Sequence, residues 1–200
     1  MSKDTLSFYS GIYEPLFKRG SYSKKSNRSA KSYGKLEELQ QNGELEDIDS
    51  IIDIGCSWGR NLKYWKEKGY KIVGVDVSSS MVGRLTSKGY EVYLSSATDL
   101  SVFPDNTFDL YMASDVFEHL RTEDLDDAIE EAKRISKKYI LVQPHTGLDK
   151  RGKRDIKKAL HLTLWNMEQW EMFFKSHGLS FIKLSDDKNW WEHIFLMRVE

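Results

Sequence analysis

Short apolar runs, each ending near a carboxylate, a glycine or a serine, alternate along this chain with stretches whose apolar positions recur every three or four residues. Residues 50–54 (SIIDI) read as a strand buried on both faces, because Ile51, Ile52 and Ile54 surround Asp53 without polar alternation. Residues 70–76, 90–94, 108–113 and 138–143 repeat that theme. Between them the period changes to helical: a helix carrying Leu62, Tyr64 and Trp65, one capped by residues 78–80 and closed at Gly89, and one over 123–135 capped by Thr122. Asn166 caps a further helix over 167–177 that turns Trp170, Phe173 and Phe174 inward, and Gly178 stops it. Two last apolar runs, 179–184 and 190–199, flank the turn residues 186–189 and predict an antiparallel hairpin. Ahead of the first strand, Leu6, Phe8, Tyr9, Ile12, Tyr13, Leu16 and Phe17 predict one or two short helical turns broken near Pro15, and residues 32–42 a helix ended at Asn42 and Gly43. Strands alternating with helices make an α/β fold, a doubly wound and mostly parallel sheet, whose ligands lie beyond the carboxyl ends of the strands.

The first strand stops at Gly55 and the next helix begins after Gly59, so a strand, a glycine turn and a helix form a nucleotide-binding corner. A dinucleotide fingerprint needs glycine where Ser57 and Arg60 stand, so that pattern fails. What remains, Asp53-x-Gly55-x-Ser57-x-Gly59, resembles motif I of the class I S-adenosylmethionine-dependent methyltransferases of small-molecule type, with Ser57 in place of the middle glycine. Asp76 ends the second strand 23 positions after Asp53, one strand-helix-strand step, where that family has its ribose-holding acid. The resemblance implies a seven-stranded Rossmann-like sheet over residues 48–200 and S-adenosylmethionine as cofactor. It also implies cofactor contacts from Asp53, Gly55, Cys56, Ser57, Gly59, Asp76, Val77 and Met81, then from Ala97, Thr98 and Asp99 at the adenine and from Ser114 and Asp115 after the fourth strand. Asp99 has a second reading, as a capping acid ahead of Leu100.

Methyl transfer from a sulfonium is an in-line displacement, so the protein must align the acceptor and take its proton. His119 and His145, after the fourth and fifth strands, are the catalytic candidates, and a backbone-bonded helix-start role is the alternative for His119. Asp115, Glu118 and His119 resemble a Glu-x-x-Glu-His set that holds a divalent metal in some O-methyltransferases. At i, i+3, i+4 they would share one face of a helical turn and suit Mg²⁺ or Mn²⁺. The family resemblance points to O-methylation of a small hydroxylated metabolite or sugar. Trp165, Trp170, Trp190 and Trp191 are pocket candidates, although tryptophans at this spacing also serve a core, and the segment starting at His161 looks like an acceptor border. A metal-assisted RNA 2′-O-methyltransferase and a non-catalytic cofactor-binding subunit are the alternatives.

Charge and composition narrow these readings. Residues 18–31 hold six basic and no acidic side chains, and residues 144–158 six basic against two acidic, the denser run being 150–158. Either run could grip phosphates, but neither has the aromatic interleaving of a single-strand platform. The first could instead be a solvated connection or a lid, with Tyr13, Tyr22, Arg28 and Lys31 as contacts to cofactor or acceptor. The whole chain has net charge −1, so no global field recruits nucleic acid or membrane, and a small-molecule acceptor is the expected partner. With 200 residues, 40% of them hydrophobic, there is substance for one sizeable core: a cap over 1–43 and a methyltransferase domain over 44–200. The single Cys56 and the absence of an apolar leader or of a spanning run predict a cytoplasmic protein without membrane insertion.

Overall fold

The structure is a computed structural model that describes residues 5–20, 36–146, 160–184 and 194–199. Seven strands form one mixed sheet in the order β3-β2-β1-β4-β5-β7-β6, a Rossmann-like sheet of the kind the family resemblance implies. The chain divides into two compact units, Met1–Ser96 and Ala97–Glu200.

The first unit contains α1 (Thr5–Lys18), α2 (described over 36–41), β1 (Ser50–Ile54), α3 (Arg60–Glu67), β2 (Lys71–Asp76), α4 (Ser79–Thr86) and β3 (Val92–Leu94). Parallel pairing sets Ser50 opposite Lys71 and Ile54 opposite Val75, so β1 and β2 end side by side. Ile51, Ile52 and Ile54 are buried, as a strand covered on both faces demands. Helix α1 runs unbroken through Pro15, where the sequence predicts an interruption. The carbonyl four residues before a proline is the one its ring crowds, and here that residue is Gly11; both positions are exposed, so water can serve the freed carbonyl.

The second unit contains β4 (Phe108–Ser114), α5 (Leu125–Ile135), β5 (Ser136–Gln143), α6 (Met167–Ser176), β6 (Ser180–Leu184) and β7 (Phe195–Arg198). Strand β7 lies antiparallel to both β5 and β6, which is the predicted terminal hairpin. Helix α5 starts two residues later than its pattern implies. Thr122 opens a separate short turn over Thr122–Asp124, and its hydroxyl meets that of Thr163 at 3.3 Å instead of capping α5. Asn166 does cap α6, through a capping box with Gln169. Trp170, Phe173 and Phe174 are buried as predicted, and Trp170 stacks on Phe174 with centroids 5.9 Å apart. Tyr22, Arg28, Lys31, Trp190, Trp191, the hairpin turn and the basic segments beyond Gly20 and over 150–158 lie outside the described residues.

Candidate functional site

Two buried acids stand at the carboxyl ends of β1 and β2. Asp53 is 1% exposed, and its Oδ1 accepts from Asn61 Nδ2 at 2.6 Å, just inside α3. Burial pushes its carboxyl up to about 7 against the pull of the Asn61 bond, and the Asp76 charge adds to the rise. Oδ2 of Asp53 and Nη1 of Arg60, the first residue of α3, are buried without a hydrogen-bond partner among the described residues. Asp76 accepts from the backbone N–H of Ser57 at 2.8 Å and of Ser78 at 2.9 Å, one bond on each oxygen. Burial raises it to about 6, with those backbone donors opposing the rise. A carboxylate has about four lone-pair sites, so acceptor capacity is left for a ligand.

The raised Asp53 gives a pH prediction. An acid whose folded pKa lies above its unfolded value contributes stability below the ordinary value of 3.8 and loses it as pH rises through about 7. Asp53→Asn is therefore expected to be more stable than the parent at pH 8, by on the order of 2 kcal/mol in urea unfolding, and the gap should narrow as the pH is lowered to about 4. A gap independent of pH would contradict the assignment.

The turn between the acids explains why glycine recurs there. Gly59 has φ +73°, and a Cβ on it would sit 2.4 Å from Leu85 Cδ2. Leu85 is 1% exposed and packs with Cys56 and Leu62, so the space is already filled. Cys56 turns its thiol into that cluster; burial pushes its pKa up, so it offers the turn its backbone and not a nucleophile. Ser57 stands at φ 50°, in the left-handed region. A side chain there costs roughly 1 kcal/mol, offset in part because glycine loses more chain entropy on folding. Ser57→Gly is accordingly expected to leave stability unchanged or raise it by up to about 1 kcal/mol. A loss larger than that in thermal or urea unfolding would assign the Ser57 hydroxyl a structural role.

Helix α1 is fastened beside this turn. Glu14 accepts from Ser78 Oγ at 2.5 Å, from Ser80 N at 3.2 Å and from Ser80 Oγ, and Lys18 approaches it at 3.3 Å. Partial burial pulls its pKa upward, but the bonds from Ser78, Ser80 and Lys18 win and hold it at about 2. Phe17 meets Trp58 edge-on at 6.1 Å, and the Arg84 guanidinium lies over the Trp58 ring, 5.0 Å from its centroid. Tyr13, half-buried on the same helix, is the one predicted lid residue that falls within the described chain.

In the second unit, Ser114 and Gln143 end β4 and β5, and Ser114 Oγ and Gln143 Oε1 are buried without a hydrogen-bond partner among the described residues. Asp99 Oδ1 accepts from Ser101 N at 3.2 Å, the capping arrangement, and bonds from Ser101 keep its pKa low. Asp115 has φ 54°, and the following turn includes only Phe117–His119. The shared helical face expected for Asp115, Glu118 and His119 is therefore broken at its first member. Glu118 and His119 are grouped instead with His161, their ligand atoms all within 4.8 Å of one another. The Leu160 carbonyl is 2.9 Å from His119 Nδ1, and the backbone N–H groups of Leu162 and Thr163 donate to the Glu118 carbonyl at 2.8 and 3.0 Å. These bonds clamp residues 160–163 along 118–120. The His161 ring is close to both other histidines, its centroid 4.8 Å from that of His119 and 4.8 Å from that of His145. Burial lowers the His119 pKa, so its imidazole is neutral at pH 7.

Residues 52–139 match the methyltransferase-domain family. Over those residues the chain is similar to the class I S-adenosylmethionine-dependent methyltransferases. An uncharacterized methyltransferase of Schizosaccharomyces pombe is 36% identical to this chain over 50 residues, 25% of its length, and the match spans about a third (33%) of that relative's length. Among solved structures, the Burkholderia thailandensis 1,6-didemethyltoxoflavin-N1-methyltransferase, with bound 1,6-didemethyltoxoflavin and S-adenosylhomocysteine, shares the fold at a TM-score of 0.71 and 11% identity, covering 100% of this chain and 92% of that one. The Synechocystis magnesium protoporphyrin IX methyltransferase with bound S-adenosylhomocysteine gives 0.68 and 14%, with 98% of each chain covered.

Sequence reasoning did not single out four residues of this chain that the structure makes prominent: Glu14, Arg60, Gln143 and His161. Arg60 was legible only as a missing glycine. His161 heads a segment read as an acceptor border, but nothing in its local pattern links it to residues 118–119. No helix among the described residues is long and apolar enough to cross a membrane.

Proposed function

We propose that this methyltransferase transfers the S-methyl group of S-adenosylmethionine to an oxygen of a small hydroxylated metabolite or sugar in the cytoplasm. The observation that carries the reading is Asp76: a buried carboxylate at the end of β2, steadied by two backbone N–H groups beside a glycine turn, is built to accept from a pair of vicinal hydroxyls. Arg60 Nη1 at the head of α3, without a hydrogen-bond partner among the described residues, suits the carboxylate of the cofactor's amino-acid end. When bound, the cofactor supplies an electrophilic methyl group on a sulfonium. The chain's part is to orient the acceptor and hold its proton. His145, half-buried after β5, is the base on this reading, whereas His119 is turned toward the Leu160 carbonyl and Glu118. Residues 1–43 act as the cap, and the Glu14 bonds to Ser78 and Ser80 support this by fixing α1 to the start of α4. Ala97, Thr98 and Asp99 serve the adenine, and Ser114 and Asp115 the rest of the cofactor.

The test is incubation of the pure protein and radiolabelled S-adenosylmethionine with a low-molecular-weight extract and, separately, with total RNA. Label is expected in alkali-stable ethers of the small-molecule fraction. His145→Ala should lower kcat about 10²- to 10⁴-fold while leaving cofactor affinity unchanged. Transfer to RNA alone, or to a nitrogen or carbon of the small molecule, would overturn the acceptor assignment.

A further inference from the structure

We infer that Glu118, His119 and His161 form a binding site for a borderline divalent transition-metal ion such as Zn²⁺ or Co²⁺. The donor set is one carboxylate oxygen and two imidazole nitrogens within 4.8 Å of one another. Two imidazoles favour first-row transition metals over Mg²⁺, which takes oxygen ligands and keeps its waters. In a tetrahedral site with ligand bonds near 2.1 Å, donors stand about 3.4 Å apart, so the cluster needs to contract by on the order of 1 Å. His119 Nε2 and Glu118 Oε1 are already 3.9 Å apart.

The surroundings fix each donor. Leu160 accepts from His119 Nδ1 at 2.9 Å, which places the proton on Nδ1 and leaves the lone pair on Nε2, the nitrogen that faces Glu118. A histidine ligand is commonly oriented by such a carbonyl on its other nitrogen. His161 is held on both sides, by that Leu160 contact before it and by the Leu162 and Thr163 N–H bonds to the Glu118 carbonyl after it. Thr163 Oγ1 adds a bond to the Leu120 carbonyl at 2.8 Å. Glu118 is 1% exposed, and Phe117, its neighbour in the turn, is anchored at 0% exposure against Trp170 and Phe174. With three protein ligands the ion keeps an open position, which could take an oxygen of an anionic or hydroxylated small molecule. The site does not depend on His145 being the base, nor on methyl transfer.

Titration of the metal-free protein with Co²⁺, followed by its visible d–d absorption and by calorimetry, tests this directly. One equivalent is expected to bind with intense bands of low-coordinate Co²⁺, and Zn²⁺ should displace it. Glu118→Gln and His161→Asn should each weaken binding at least tenfold, with unfolding curves recorded for both. His177→Ala, which removes a histidine paired with Asp126, should bind as the parent does. The inference is overturned if Co²⁺ binds without saturation, or if His161→Asn folds normally and binds Co²⁺ as tightly as the parent. Loss of methyl transfer with Co²⁺ binding intact would instead bear on the proposed function alone.

Discussion

Asp76→Ala is expected to lower affinity for S-adenosylhomocysteine by about 10²- to 10⁴-fold in calorimetry, because two hydrogen bonds to a charged acceptor contribute roughly 1.5–3 kcal/mol each. The carboxylate is 4% exposed and already aligned by Ser57 N and Ser78 N, so little ordering remains to be done on binding. Asp76→Asn keeps the size and one acceptor oxygen, and its loss should be smaller. The pH profile separates charge from shape. With the Asp76 pKa at about 6, parental affinity should be level above pH 7 and fall as the pH drops through 6, because the protonated acid accepts less well. The carboxamide of the Asp76→Asn variant does not titrate, so this contribution should be flat. Equal affinity for parent and alanine variant would remove the physical basis of the cofactor site.

Trp170→Ala is expected to cost about 3–5 kcal/mol of stability, the range for deleting a buried tryptophan. Trp170 is 0% exposed and sits in an aromatic cluster with Phe117, Trp165, Phe173 and Phe174. Its indole Nε1 is buried with no hydrogen-bond partner among the described residues. That detail gives a discriminating pair. Trp170→Phe removes the unsatisfied N–H while keeping a ring, so urea unfolding should show a loss below about 1.5 kcal/mol. Because Phe117 leads into Glu118 and His119, the alanine variant should also weaken Co²⁺ binding if it folds at all. Trp170→Phe as costly as Trp170→Ala would show that shape, and not ring burial, dominates this cluster.

Local pattern carried the fold further than it carried the site. Residues 51, 52 and 54 announce a central strand because no polar residue alternates with them, and each later strand shows the same apolar density. Caps were legible where a side chain acts within its own turn: Ser78 accepts from Met81 N at 3.3 Å and Asn166 from Gln169 N at 2.9 Å. Thr122 misled because its hydroxyl is drawn to Thr163, 41 residues away, a partner no local window contains. Pro15 misled for a different reason: its cost depends on whether the carbonyl at Gly11 meets water or protein, which is a matter of exposure.

The order of residues along this chain determined what depends on neighbours a few positions apart: the strand-turn-helix corner at Gly55 and Gly59, the acid at the end of β2, and the alternation that yields a seven-stranded sheet. Only the tertiary structure decided which distant groups meet. It set Asp115 at φ 54°, outside the short turn that holds Glu118 and His119, and it brought His161 to them through three backbone-directed bonds. The reason is that hydrophobic period and capping act over one or two turns, whereas a ligand set is assembled by loop closure and burial, which carry no signature in local spacing.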